Sequence, residues 1–221
     1  MTISSPSSSE YQKILSQVPG DYYDHGVRSN LFQRIWHTKK WSNLSEFLQG
    51  SSGKLLDIGC ADGTTTKQIK ISFPKLKVTG VDLYKNAINH AKKNPCGVTF
   101  ISADAHKLPF RANTFNVVTA IEVLEHMHDC EKVIKEVFRV LKPGGSFVIV
   151  QDTDSLLFKS VWWFWTKSKG AVWQNSHINC MTPKKLINIV KRNGFSVRKQ
   201  KFMNFKMEIF IKAIKKSGRK E

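Results

Sequence analysis

From residue 54 onward, short apolar runs alternate with longer stretches whose apolar positions recur every three or four residues. The runs fall at 54–59, 77–82, 98–102, 116–121 and 146–150, each bounded by glycine, proline or polar clusters, which predicts buried strands. The helical period is clearest at 131–141, where Val133, Ile134, Val137, Phe138 and Leu141 form one stripe that "KPGG" then ends. Upstream, residues 29–49 place Leu31, Ile35, Leu44 and Leu48 at helical spacing, and "QGSSGK" breaks that segment before the first strand. Downstream, "TPKKLINIVKRNGF" predicts a helix with Thr182 as N-cap, Pro183 in the first turn and Gly194 as stop, followed by strands near 196–202 and 207–214. Strand, helix, strand in repetition predicts a mostly parallel, doubly wound α/β sheet.

Composition narrows this. A chain of 221 residues, 41% apolar, can bury the core of one α/β domain. The serine-rich opening "MTISSPSSSE" lacks the basic start and apolar run of a secretory signal, and no stretch approaches the length of a membrane span, so a cytoplasmic protein is expected. Cys60, Cys96, Cys130 and Cys180 are scattered without a CxxC pair, as reduced thiols would be. The net charge of +18 is lopsided, because residues 155–221 hold sixteen Lys/Arg against Glu208 and Glu221. Such a face attracts RNA, anionic lipid or acidic metabolites, and charge alone does not choose among them.

Candidate chemistry begins at "KLLDIGCADGTTT", an apolar strand running into a glycine turn and a threonine-led helix. It lacks the lysine of a GxxxxGK[ST] phosphate loop and the spacing of a GxGxxG dinucleotide turn. An acid, Asp57, precedes the glycines instead, which repels a pyrophosphate and favours a ligand bearing ammonium and sulfonium groups. Three further acids follow successive strands. Asp82 ends the second, where it can accept ribose hydroxyls; Asp104 follows the third, within reach of an adenine amino group; Glu122 follows the fourth.

With "LLDIGCADG", "GVDLYKNAINHAKK", "ADAHKLPF", "FNVVTAIEVLEHM" and "EVFRVLKPGGSFVIV" in this order, the chain resembles the class I S-adenosylmethionine-dependent methyltransferases, in the branch that includes quinone-biosynthesis enzymes. The resemblance runs from about residue 54 to 150 and more weakly through "HINCMTPKKLINIVKRNGF". It implies a Rossmann-like sheet of seven strands in the order 3-2-1-4-5-7-6, the last antiparallel, with helices on both faces. It also implies that Asp57, Gly59, Cys60 and Gly63 hold the methionyl part of S-adenosylmethionine, Asp82 the ribose, and Asp104 with Ala105 the adenine, with Leu83 among the cofactor-binding residues. Ile121 and Glu122 would wall the methyl-donor side, and Ala61 stands where the family turn carries glycine.

His126 lies where an acceptor would face the methyl group, and a histidine there can act as a base or simply pack a short helix. Glu122, Glu125 and His126 have i, i+3, i+4 spacing, which on a helix would let them share a divalent ion, with His177 a distant fourth ligand. The same "EVLEH" also occurs in relatives taken to be metal-free.

Residues 1–50 read as a tail and helical lid, with Tyr22, Tyr23, Arg34, Trp36 and His37 as cover residues. Residues 51–221 read as the methyltransferase domain, carrying a Trp-rich insertion at 155–173. Leu156, Leu157, Phe158, Val161, Trp162, Trp163, Phe164 and Trp165, flanked by Lys159, Lys167 and Lys169, suit either a peripheral membrane contact or a helix over an apolar pocket. Both favour a small or lipid-like acceptor. The alternatives are an RNA acceptor, its bases stacked on those indoles and its backbone on the basic C-terminal third, and a non-catalytic interaction module on the same fold.

Overall fold

The computed structural model describes residues 17–167 and 181–217. Its sheet is built from β1 (Lys54–Ile58), β2 (Lys77–Asp82), β3 (Thr99–Ser102), β4 (Phe115–Ile121), β5 (Leu141–Asp152), β6 (Phe195–Met203) and β7 (Glu208–Lys215). The strand order is β3-β2-β1-β4-β5-β7-β6, with β7 antiparallel to both neighbours and the other pairings parallel. Helices α1 (Tyr22–Ser29), α2 (Leu31–Leu48), α3 (Thr64–Ser72), α4 (Lys85–Lys93), α5 (Cys130–Val140), α6 (Leu156–Thr166) and α7 (Pro183–Arg192) complete the described elements, with one 3₁₀ turn at Leu124–His126.

The central strands are apolar throughout because helices cover both faces. Leu56, Ile58, Val118 and Ala120 point to the side packed by Val133, Ile134 and Val137 of α5 and Leu186 and Val190 of α7. Their neighbours Leu55, Val117 and Val148 point the other way, against Leu44, Phe47 and Leu48 of α2, Ile69 of α3 and Ile88 of α4. Each such fully buried side chain contributes about 1.5–3 kcal/mol. The register that lays Leu55 beside Val78 and Val117 also brings the carboxyl ends of β1, β2 and β4 level, and loops there carry the candidate residues.

The helix expected over 29–49 forms as α2, its start set by Asn30, which is extended and whose side chain accepts from the Phe32 and Gln33 amides. Leu44 and Leu48 are core, but Leu31 and Ile35 are exposed, so only the C-terminal half of α2 packs on the sheet. Further on, α5 gives way to β5 at Leu141, ahead of "KPGG". Leu141 already pairs with Phe115, and the prolyl-glycyl segment lies at the register shift before Ser146 meets Val117. Thr182 accepts from the Lys185 amide and Gly194 is left-handed, as the sequence predicts. Residues 168–173 of the Trp-rich insertion, His177 and Cys180 lie outside the described residues; Cys60, Cys96 and Cys130 are free thiols. Among the described residues, no helix is long and apolar enough to cross a membrane.

Candidate functional site

A cleft of about 460 Å³ opens at the carboxyl ends of β1, β2 and β4. The turn after β1 shapes it. Gly59 has φ +69°, and a Cβ there would stand 2.2 Å from Val123 Cγ2, so only glycine fits. Gly59 and Cys60 donate their amides to the Val81 carbonyl at 2.8 and 3.1 Å, pinning the turn to β2. Ala61 is left-handed too, at φ +46°, and its amide donates to Asp82 Oδ2 at 2.9 Å.

The acids divide by task. Asp82 faces the cleft and also accepts from the Tyr84 amide at 2.8 Å; burial raises its pKa against those hydrogen bonds. Asp104 also faces the cleft; burial opposes its charge, yet hydrogen bonds from the His106 amide and ring to Oδ1 hold its pKa below the ordinary value. Asp57 is turned inward. Its two oxygens accept from Thr119 and Thr66 hydroxyls, both at 2.6 Å, and burial lifts its pKa to about 6. It therefore ties β1 to β4 and α3. Gly59, Asp82, Leu83, Asp104, Ala105, Glu122 and His126 line the cleft together. Asp57, Cys60 and Ile121 border a smaller pocket behind it, and Gly63 packs under Phe100 at the start of α3. This lining fits S-adenosylmethionine in its chemistry: Asp62, Asp82, Asp104 and Glu122 offer carboxylates to hydroxyl and ammonium donors, and Leu83 and Ala105 offer apolar surface.

The N-terminal segment closes over this cleft. Tyr84 donates its hydroxyl to the Val18 carbonyl at 2.5 Å, and the Asp24 amide of α1 donates to Asp62 Oδ2 at 2.8 Å. Tyr22 and Tyr23 line the cleft and, with Glu122 and His126, a second cavity of about 150 Å³. That cavity lies between α2 and α6 and is walled by Phe32, Trp36, Phe158, Trp162 and Trp165; the Phe32 and Trp165 rings, 6.3 Å apart, join the two helices. Trp36 and His37 thus border the second cavity rather than the cleft, and Arg34 borders neither.

Where cleft and cavity meet, charge is buried. Lys40 of α2 forms an ion pair with Glu122 and lies 3.9 Å from Glu208. Glu122, Asp152 and Glu208 each bring one oxygen to within 4.8 Å of the others. Burial pushes the Glu125 and Glu208 carboxyls up to about 8 and Asp152 well above its usual value. Glu122 goes down to about 2, because Lys40 outweighs the burial that would raise it. His37, buried beside Lys40, falls to about 4. The helical spacing expected of Glu122, Glu125 and His126 does not form. Glu122 is left-handed at φ +52° and a 3₁₀ turn follows, so among the described residues the acids that gather with Glu122 are Asp152 and Glu208. A lysine ammonium already occupies the cation's place in that group.

Lys40, Asp62, Asp152 and Glu208 escaped sequence reasoning. Lys40 and Glu208 lie 168 positions apart on a helix and a late strand, and only the β5-β7 pairing brings Glu208 opposite Asp152. An acid at the start of the mostly apolar run "MEIFIKAI" was the available signal.

A family model described as a methyltransferase domain matches residues 27–200. The chain is 38% identical over 104 residues to the ubiquinone/menaquinone biosynthesis C-methyltransferase of Desulfotalea psychrophila, covering 46% of this chain and 42% of that one. It is 38% identical over 100 residues to the sterol 4-C-methyltransferase of Caenorhabditis elegans, covering 42% and 29%. The matches thus span less than half the length of these curated relatives. A phosphoethanolamine N-methyltransferase of Haemonchus contortus, solved with S-adenosyl-L-methionine, superposes with a TM-score of 0.69 at 20% identity, over 94% of this chain and 60% of that one. By the family model, by these relatives and by its seven-stranded order, the chain belongs to the S-adenosylmethionine-dependent methyltransferase family.

Proposed function

We propose that this chain transfers a methyl group from S-adenosylmethionine to a small, lipid-like acceptor of quinone or isoprenoid type, close to a membrane surface. The observation that carries the reading is the aromatic cavity between α2 and α6, which shares Tyr22, Tyr23, Glu122 and His126 with the cleft. Asp82 would hold the ribose hydroxyls and Asp104 the adenine amino group, with Gly59 admitting the ligand close to the backbone. The bound cofactor supplies an activated methyl on a sulfonium. The chain's own work is then alignment and exclusion of water: Tyr22 and Tyr23 cover the junction, and the indoles of α6 hold an apolar body against it. His126, bordering both spaces, stands where it can orient or deprotonate the acceptor.

The outer surface at this end supports entry from lipid. Leu31, Phe32 and Ile35 of α2 and Leu156, Leu157, Trp163 and Phe164 of α6 are all exposed, with Lys159 and Lys167 beside them. Large apolar and indole side chains next to lysine suit a headgroup boundary. Several basic residues of the C-terminal third answer acids within the fold instead: Lys199 and Lys201 pair with Glu46, and Arg192 with Glu131. The test is sedimentation with vesicles of phosphatidylcholine and phosphatidylglycerol. Wild type should co-sediment and F164D should remain in the supernatant; equal recovery of both removes the membrane part of this reading.

A further inference from the structure

Phe205 and Leu156 are the two most exposed large apolar side chains among the described residues, at 88% and 83%. Exposed apolar residues scattered singly need no explanation, but these two sit on neighbouring segments. Phe205 lies in the tip of the hairpin between β6 and β7, and Leu156 opens α6. Thr153 ties the segments together: its amide donates to the Met207 carbonyl at 2.8 Å and its hydroxyl to the Lys206 carbonyl at 2.6 Å. The Ser155 amide, at the cap of α6, donates in turn to the Thr153 hydroxyl at 3.4 Å.

The tip also carries backbone strain. Asn204, Phe205 and Lys206 are left-handed in succession, at φ +48°, +56° and +68°. Asparagine tolerates that region and glycine adopts it freely, whereas a bulky aromatic residue is disfavoured there. Phenylalanine at this position opposes both solubility and local backbone preference, and a ring this exposed gains little from packing within the fold. Outliers of this kind mark places where a side chain is kept for what it contacts. The charges around it name the partner. Lys206 is exposed beside Phe205 and Lys159 about one turn after Leu156, while the acids of these segments, Asp152, Asp154 and Glu208, are buried or half-buried. The tip stands at the carboxyl end of β5, where Asp152 pairs with Glu208, and β5 runs parallel to β4, so it shares the end of the sheet at which the cleft opens.

We propose that the hairpin tip, Phe205 with Lys206, and the first turn of α6, Leu156 and Leu157 with Lys159, form one edge that inserts into an anionic lipid surface and holds the cleft end of the sheet against it. The inference rests on the membrane reading above and adds to it a second anchor, on a different element from Trp163 and Phe164. The apolar side chains enter the headgroup boundary, and the two ammonium groups meet lipid phosphates.

The test is the partition coefficient of the full chain on vesicles of phosphatidylcholine alone and of phosphatidylcholine with phosphatidylglycerol, with urea unfolding run in parallel. F205G should bind mixed vesicles about tenfold or more weaker than wild type, while its unfolding midpoint stays level or rises because glycine relieves the left-handed turn. L156S should weaken binding likewise. K206Q should weaken it about fivefold on mixed vesicles only, a difference that high salt removes. Equal binding by F205G and wild type, with F164D still impaired, would overturn this inference and leave the membrane reading standing. Loss of binding in F205G together with a lowered midpoint would also overturn it, by making Phe205 structural. A dimer in sedimentation velocity that F205G disperses would assign the edge to a second copy of the chain and overturn the lipid assignment. Wild type left in the supernatant with both vesicles would overturn the membrane reading and this inference with it.

Discussion

Replacing Lys40 with methionine removes the ammonium from the carboxyl cluster while keeping most of the side-chain volume. The side chains of Lys40 and Glu122 are only 5% and 20% exposed, so water can do little to replace the lost charge. In the variant, Glu122 either stays ionised without its partner or takes a proton. Losing one partner of a buried pair costs about 3–5 kcal/mol. Protonating a carboxyl of ordinary pKa 4.5 at pH 7.5 costs about 4 kcal/mol, at about 1.4 kcal/mol per pH unit. The expected loss is therefore about 3–4 kcal/mol at pH 7.5, a large part of a typical domain's ~5–15 kcal/mol. Because a proton relieves the variant, the loss should fall to about 1–2 kcal/mol at pH 5.5. Wild-type Glu122, depressed to about 2, keeps its contribution at all pH values above 4.5 and loses it as pH falls toward 2, so the contrast belongs to the variant. Urea unfolding of both proteins at pH 5.5, 6.5 and 7.5 measures it, and adding E122Q to K40M should recover most of the deficit. A cost under about 1 kcal/mol at pH 7.5, or one independent of pH, would refute the reasoning.

Other outcomes follow from the same geometry. Gly59→Ala forces a methyl against Val123 at a left-handed residue and should cost about 2 kcal/mol or more and abolish S-adenosylmethionine binding by calorimetry, with V123A restoring part of both. Ala61→Gly relieves φ +46° and should raise stability by up to about 1 kcal/mol in urea. Asp82→Ala removes the acceptor of the Ala61 and Tyr84 amides as well as a cleft carboxylate, and should weaken cofactor affinity at least about tenfold; unchanged affinity would sink the ribose assignment. Wild-type stability should decline from about pH 6.5 to 8, because folded Glu125 and Glu208 keep protons that the unfolded chain has lost; below 6.5, protonation of His37 in the unfolded chain opposes the trend. Thermal melts across that range, flattened by E125Q, check it.

The sheet was legible because its signal is local: each central strand is a short apolar run between punctuating residues, and Thr182 and Gly194 carry their own capping chemistry. Asp82 and Asp104 were legible for the same reason, since they sit at strand ends. Two kinds of information were not. Periodicity finds a helix but not its partner: Leu31 and Ile35 share helical spacing with Leu44 and Leu48, yet only the latter two reach the core. Spacing on a presumed helix also fails where the backbone departs from it, as at Glu122, whose left-handed φ turns Glu125 and His126 out of register. The Lys40 cluster joins α2, the turn after β4, β5 and β7, and no single stretch of sequence records that meeting.

The central claim is methyl transfer to a lipid-like acceptor. The most direct measurement supplies the chain with S-adenosylmethionine tritiated in the methyl group and a total extract of the source cells, then partitions the products into organic, nucleic-acid and protein fractions. The account predicts label in the organic phase, reduced when the aromatic wall of the cavity is removed by W162A/W165A or the cavity is cut off from lipid by F164D. Nuclease-sensitive label in the aqueous phase would contradict it and move the acceptor to RNA.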